Sequence, residues 1–206
     1  LERGEPDAIN TVARSALIGP LEEWRRFELA VGLAAGEAIA TACHVPLELR
    51  LLGGASSDPI LSAGAFDLYW QQRTAHYSAP DLEASELITR EILKAYGLSL
   101  GADRPDLVIV NRENSAVVAV VEVKYLAGDT ASARFREAVE QVVRYARGYA
   151  PPGQTGPLIG RSLVALSHGA PKLVDASAGA PSSIDFAGIM RTELASWAQH
   201  VVAAGP

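Results

Sequence analysis

The feature that most constrains this chain is the run at positions 116–125, Ala-Val-Val-Ala-Val-Val-Glu-Val-Lys-Tyr. Branched side chains of this kind lose rotamer freedom in a helix and pack well on a pleated surface. A stretch this apolar on both faces suits a central strand covered on either side by other elements. Glu122 and Lys124 interrupt it and, lying two apart on a strand, they share one face. A bare charge buried there would be costly, so the pair asks for a chemical reason.

Upstream, Asp106-Leu107-Val108-Ile109-Val110 reads as a second short strand, and positions 111–115 read as a turn. With the turn centred near Asn114, Asp106 falls opposite Glu122. Directly opposed residues in an antiparallel pair have Cβ atoms about 4.5–5.5 Å apart. Two carboxylates at that separation repel, and a hard divalent cation such as Mg²⁺ would hold them together through its preference for oxygen ligands. Lys124 beside them could orient or help deprotonate a water and stabilise charge developing on a phosphate. The plainer alternative is a salt-bridge cluster at a sheet edge.

The remaining pattern predicts a mixed α/β core. Helices are expected over 21–42, closed by Pro46; over 81–96, stopped by Gly97; over 131–149, stopped by Pro151-Pro152-Gly153; and over 186–202. Further strands are expected over 47–51, 67–70 and 161–167. Gly153-Gln154-Thr155-Gly156 reads as a loop after a helix, and 169–183, rich in Gly, Ala, Ser and Pro, as a longer flexible one.

At 206 residues with 49% hydrophobic and 20% charged side chains, the chain can bury a sizeable core and is not disordered throughout. Its longest alanine-rich stretch, 29–42, contains Glu37 and is too short for a membrane span. The charged start has no following apolar segment and does not resemble a signal peptide. Met190 is the one methionine, so the chain is expected to be a piece of a longer protein. The lone Cys43 excludes an internal disulfide and points to a reducing, cytoplasmic setting. His44, His76, His168 and His200 share no metal-ligand spacing with it.

Pro105-Asp106, fifteen residues, then Glu122-Val123-Lys124 resembles the signature of the PD-(D/E)XK nuclease superfamily, which includes restriction endonucleases, RecB-type exonucleases and junction resolvases. The resemblance covers roughly 81–149, with the strand near Leu163 as an extension. It implies a restriction-endonuclease-like mixed β-sheet core flanked by helices over 79–206, preceded by an N-terminal α/β elaboration over 1–78. It also implies that Asp106, Glu122 and the backbone carbonyl of Val123 bind Mg²⁺ (Mn²⁺ as a substitute), while Lys124 assists catalysis.

The superfamily adds a glutamate from a helix before the aspartate, and Glu86 and Glu91 both compete for that place. Glu86 precedes Gly97 by eleven residues, as in resolvase-like relatives. Glu91 falls in the middle of the apolar face formed by Ala84, Leu87, Ile88, Ile92 and Ala95. Glu86 is slightly preferred, which would make it a metal ligand. Gln141 and Tyr145, one helical turn apart beside Arg134, resemble a Gln-x-x-x-Tyr motif that lines the nucleic-acid side of such sites. Simple packing is the alternative for Tyr145.

The expected function is therefore a Mg²⁺-dependent endonuclease acting on double-stranded DNA, in restriction or another form of genome defence. A repair or recombination exonuclease, a junction resolvase, or a non-catalytic module of the same fold are the alternatives. A homodimer or other domains of a longer protein are the expected protein partners, and no membrane is expected. The net charge of −6 weighs against simple nucleic-acid binding, because phosphate contacts need Lys and Arg. Acids gathered in a metal site would account for part of it, and a DNA-binding region elsewhere for more.

Overall fold

The structure is a computed structural model and describes residues 22–50, 58–72, 83–97, 104–127, 130–175, 179–189 and 192–204. Its centre is one seven-stranded mixed sheet. The strands are β1 (Leu47–Leu49), β2 (Leu61–Ala63), β3 (Phe66–Trp70), β4 (Leu107–Asn111), β5 (Ala116–Lys124), β6 (Leu163–Leu166) and β7 (Ser182–Asp185), and they lie side by side in chain order. Strands β1 to β5 form an antiparallel meander; β5, β6 and β7 run parallel. Antiparallel neighbours need only tight turns, whereas parallel ones need longer crossovers, usually helical. The crossover from β5 to β6 runs through α3 (Ala131–Tyr149) and α4 (Thr155–Arg161).

The expected central strand is found: β5 pairs with β4 on one side and β6 on the other, and Val117 through Val123 are all buried. One face of the sheet is covered by α1 (Glu23–Cys43) and α6 (Thr192–Ala203), which join Leu107, Ile109, Val121, Val123 and Leu163 in one apolar cluster. The other face is covered by α3 and α4, with Val108, Val120, Val142, Tyr145 and Leu158 packed between. Helices on both faces explain why β5 could be apolar throughout.

Helix α1 lies very close to the sheet. A Cβ added at Gly36 would stand 2.7 Å from Leu61, and one at Gly32 would stand 3.2 Å from Leu107. The helix ends at His44, whose left-handed backbone (φ 56°) lets Val45 donate back to the Ala40 carbonyl. The close seating fixes the height of everything on its buried side, including Glu28.

Several expectations need adjusting. Thr155 and Gly156, read as loop, open helix α4, which runs on to Arg161, where a strand was expected to begin; Leu158 on it is buried against the sheet. Strand β2 was not foreseen, and β7 begins where a loop was expected; both are short and take their order from neighbouring strands rather than from a strong pattern of their own. The last helix divides into α5 (Phe186–Ile189) and α6. The boundary expected at 78/79 separates β3 from β4, yet those strands pair over five positions and share one apolar cluster with α1. Helix α2 (Ala84–Ala95) closes with Gly97 in a left-handed conformation, as its sequence suggested. Among the described residues, no helix is long and apolar enough to cross a membrane.

Candidate active site

The site forms where β4 begins and β5 ends. In the β4–β5 pair, Leu107 faces Val121 and Val108 faces Val120, so the register runs one step further to set Asp106 against Glu122. Past Ile109 a β-bulge shifts the register by one residue. The extra residue falls towards the hairpin and leaves the acidic end aligned. The edge of β5 that β6 does not reach is satisfied by side chains: Arg161 Nε donates to the Val118 carbonyl at 2.9 Å, and Val120 N–H donates to Ser162 Oγ at 3.2 Å.

Asp106 Oδ2 accepts a 2.7 Å hydrogen bond from the Val123 N–H. Burial and the adjacent Glu122 charge push the Asp106 carboxyl up to about 8. The Val123 N–H and Lys124 pull the other way without winning. Glu122 is buried, and burial raises its carboxyl as well, against the attraction of Lys124. Its Oε1 accepts from Lys124 Nζ at 2.9 Å and its carboxyl lies within hydrogen-bonding reach of the Asp106 carboxyl, while among the described residues no N–H or hydroxyl donates to the buried Oε2. An oxygen buried without a donor is an uncommon expense in a folded protein.

Lys124 is held on three sides. Besides Glu122, its ammonium donates to Gln141 Oε1 at 2.6 Å and lies 3.4 Å from Glu137 Oε1. Burial alone would lower its pKa; Glu122, Asp106 and Glu137 outweigh that and leave it above the ordinary lysine value. Lys124 is therefore a fixed cation. Arg134 donates to Glu137 at 2.8 Å and so stands at the outer end of this chain rather than beside the carboxylates.

The Gln-x-x-x-Tyr pair divides its work. Gln141 reaches the site through Lys124. Tyr145 is buried among Val108, Val120 and Leu158, and its hydroxyl donates to the Arg104 carbonyl at 3.1 Å. It thus anchors the backbone that leads into Asp106 and does not line an open surface.

The third carboxylate is Glu28 on α1, which the sequence reading passed over. It is buried, and its Oε2 accepts from Trp70 Nε1 at 3.0 Å and Gln71 Nε2 at 2.6 Å. Burial and then the Asp106 charge push its carboxyl up to about 7, despite those two donors. Glu28 in turn raises Glu122. A signal existed: Glu28 lies on the same helical face as Val31, Gly32, Ala35 and Ile39, all buried.

Neither glutamate chosen from α2 joins this group. Glu86 receives the Arg147 guanidinium at 3.0 and 3.1 Å and the Glu83 N–H at 2.8 Å, closing a capping box. Glu91 is exposed. The face that seemed buried around it is open to solvent, with Ile88 63% and Ile92 55% exposed. The helix turns its polar side, through Glu83 and Glu86, towards Arg147 on α3.

Oxygen is the only donor type contributed by the carboxylates of this site, which fits a hard divalent cation. Among the described residues, no three His, Cys, Asp or Glu side chains are gathered closely enough to enclose an ion by themselves. Mg²⁺ commonly keeps several waters and takes only one or two carboxylates, so Asp106 and the unpartnered Glu122 Oε2 meet that need. Comparison with protein-family models, curated proteins and solved structures gives no significant match, so the likeness to a nuclease family rests on these residues and their placement.

Proposed function

We propose that this chain is a Mg²⁺-dependent phosphodiesterase domain of the PD-(D/E)XK type, with a restriction-endonuclease-like core, cutting DNA internally in restriction or genome defence. The observation that carries the reading is the end of β5, where a buried carboxylate oxygen of Glu122 lies unpartnered beside Asp106 and next to a fixed ammonium. Such a cluster is costly as a purely structural device.

Asp106 and Glu122 would hold the cation, with Glu28 on the α1 side. When bound, a divalent cation offsets the carboxylates and polarises the phosphate and the attacking water. Lys124 supplies a second positive charge for the pentavalent transition state, and being firmly protonated it works as an electrostatic stabiliser rather than as the base. Gln141 and Glu137 set the position of its Nζ. The Val123 N–H holds Asp106 from across the hairpin, and Tyr145 anchors the Arg104 carbonyl two residues before it.

The test is cleavage of supercoiled plasmid and of linear single- and double-stranded DNA with Mg²⁺, Mn²⁺ or EDTA, using wild type beside Asp106→Asn. Metal-dependent nicking or fragmentation that vanishes in the variant supports the reading; undiminished cleavage by Asp106→Asn defeats it. Mononucleotide release in place of internal cuts would favour an exonuclease. A second reading, a non-catalytic interaction module, is favoured by the exposed apolar residues Leu87, Ile88, Ile92 and Tyr96 on and just after α2. Absence of both cleavage and divalent-metal binding would select it.

A further inference from the structure

Three residues other than glycine have a positive φ among the described residues: His44, Ser115 and Gln71. His44 caps α1 and Ser115 lies in the β4–β5 hairpin turn, where left-handed backbone is routine. Gln71 is different. It follows the last residue of β3, at φ 50°, in a conformation that disfavours a side chain with a Cβ. Strain of this kind persists where the surroundings hold it, and an observed outlier is a reason to look for a task.

The contacts of Gln71 supply one. Its backbone N–H donates to the Asp106 carbonyl at 2.7 Å, one step beyond the last β3–β4 pair, Trp70 with Leu107. Its side-chain Nε2 donates to Glu28 Oε2 at 2.6 Å. One residue therefore ties the acid of α1 to the acid that opens β4. The neighbouring Trp70 indole donates to the same Oε2 at 3.0 Å, so both donors grip one oxygen of Glu28 and neither takes Oε1. A glycine here would accept the backbone conformation without strain but would leave Glu28 with the indole alone.

We infer that Gln71 is a positioning residue for the cation site, tying the Glu28 carboxylate to the backbone of Asp106 and so setting how close the two acids lie. The inference rests on the reading of Asp106 and Glu122 as a divalent-cation site with the Glu28 charge beside it. Residues that orient ligating carboxylates commonly matter for metal affinity by roughly 10- to 100-fold when lost.

The test is calorimetric titration of Mn²⁺ into the full chain as wild type, Gln71→Gly, Gln71→Asn and Asp106→Asn, with circular dichroism to confirm that each is folded. Glycine keeps the N–H to Asp106. Asparagine also tolerates the left-handed backbone, but its amide stops one methylene short of Glu28. Both variants are expected to weaken Mn²⁺ binding by roughly 10- to 100-fold while remaining folded, and Asp106→Asn to abolish it. A merely structural role would change melting temperature and leave the Mn²⁺ affinity alone. If both Gln71 variants bind Mn²⁺ like wild type while Asp106→Asn does not, the positioning role is wrong and the cation site stands. If wild type takes up no Mn²⁺, or Asp106→Asn binds as well as wild type, the cation site itself is wrong and the role of Gln71 falls with it.

Discussion

Glu28 and Glu86 are both glutamates on helices that precede Asp106, and the molecule treats them in opposite ways. Glu86 has a guanidinium on both oxygens and a backbone N–H as well. Slight burial works against its charge, but those donors outweigh it and its pKa is lowered. Glu28 has two neutral donors on one oxygen, a deeper position, and a second acid nearby, and it is pushed up to about 7. A carboxylate that is already compensated has little left to offer a cation. One that is buried and crowded by like charge is kept at a cost, and such costs concentrate where chemistry is done. Position in the chain alone would not have separated the two.

The largest effect that tests this contrast is on catalysis. Asp106→Asn removes an acid of the site and, at several kcal/mol of transition-state stabilisation, should cut plasmid cleavage by on the order of 10³-fold. The same change relieves repulsion at Glu122, so in EDTA at pH 8 the variant should melt at a higher temperature than wild type. Loss of activity together with lowered stability would show that Asp106 is structural instead.

Lys124→Ala should act in the reverse sense on the fold. It strips a buried glutamate of the ion-pair partner it has at 2.9 Å among the described residues, and breaking such a pair from one side costs about 3–5 kcal/mol. Urea denaturation should register this directly. An unchanged midpoint would mean that Glu122 takes up a proton at once or is more hydrated than its burial implies.

Smaller, and specific in sign, is the pH dependence of the metal-free protein. Asp106 and Glu28 have folded-state pKa values raised to about 8 and about 7, above those of the unfolded chain. The folded state therefore holds more protons between about pH 4 and pH 8. The stability these groups confer is fully present below the unfolded values and is lost as pH rises through 7 and 8. Urea midpoints in EDTA should fall from pH 5 to pH 8.5, and the double variant Glu28→Gln/Asp106→Asn should flatten the curve. A midpoint that rises over that interval in wild type would contradict the burial assigned to both acids.

The smallest effect belongs to the other member of the comparison. Glu86→Gln weakens a partly exposed ion pair with Arg147 and should shift stability by less than about 1 kcal/mol, with cleavage within about twofold of wild type. A large loss of cleavage in Glu86→Gln would return the helix carboxylate to α2.

Much of this is legible in the amino-acid sequence. The strand carrying Glu122 and Lys124, the hairpin register that opposes Asp106 to Glu122, and the limits of α3 all follow from period and turn chemistry in contiguous sequence. The resemblance to a Gln-x-x-x-Tyr motif marked Gln141 as a site residue, while its contact with Lys124 is seen only in the folded structure. What was misread came from treating a helix in isolation. The apolar side of α2 looks buried on a helical wheel, but the polar side is what α3 engages through Arg147. A wheel shows that a face is apolar and not what lies against it.

The sequence by itself determined five of the seven strands, the long helices and the local pairing of Asp106, Glu122 and Lys124, because each depends on residues a few positions apart and on rules that act within a hairpin or one helical turn. Only the tertiary structure decided which helix supplies the third acid. Glu28 lies 78 positions before Asp106 (106 less 28). It comes near because Gly32 and Gly36 let α1 settle close to the sheet and because Gln71 bridges the two acids. Neither condition is local. Close approach across a sheet depends on the shapes of surfaces contributed by distant segments, and those surfaces exist only once the chain has folded.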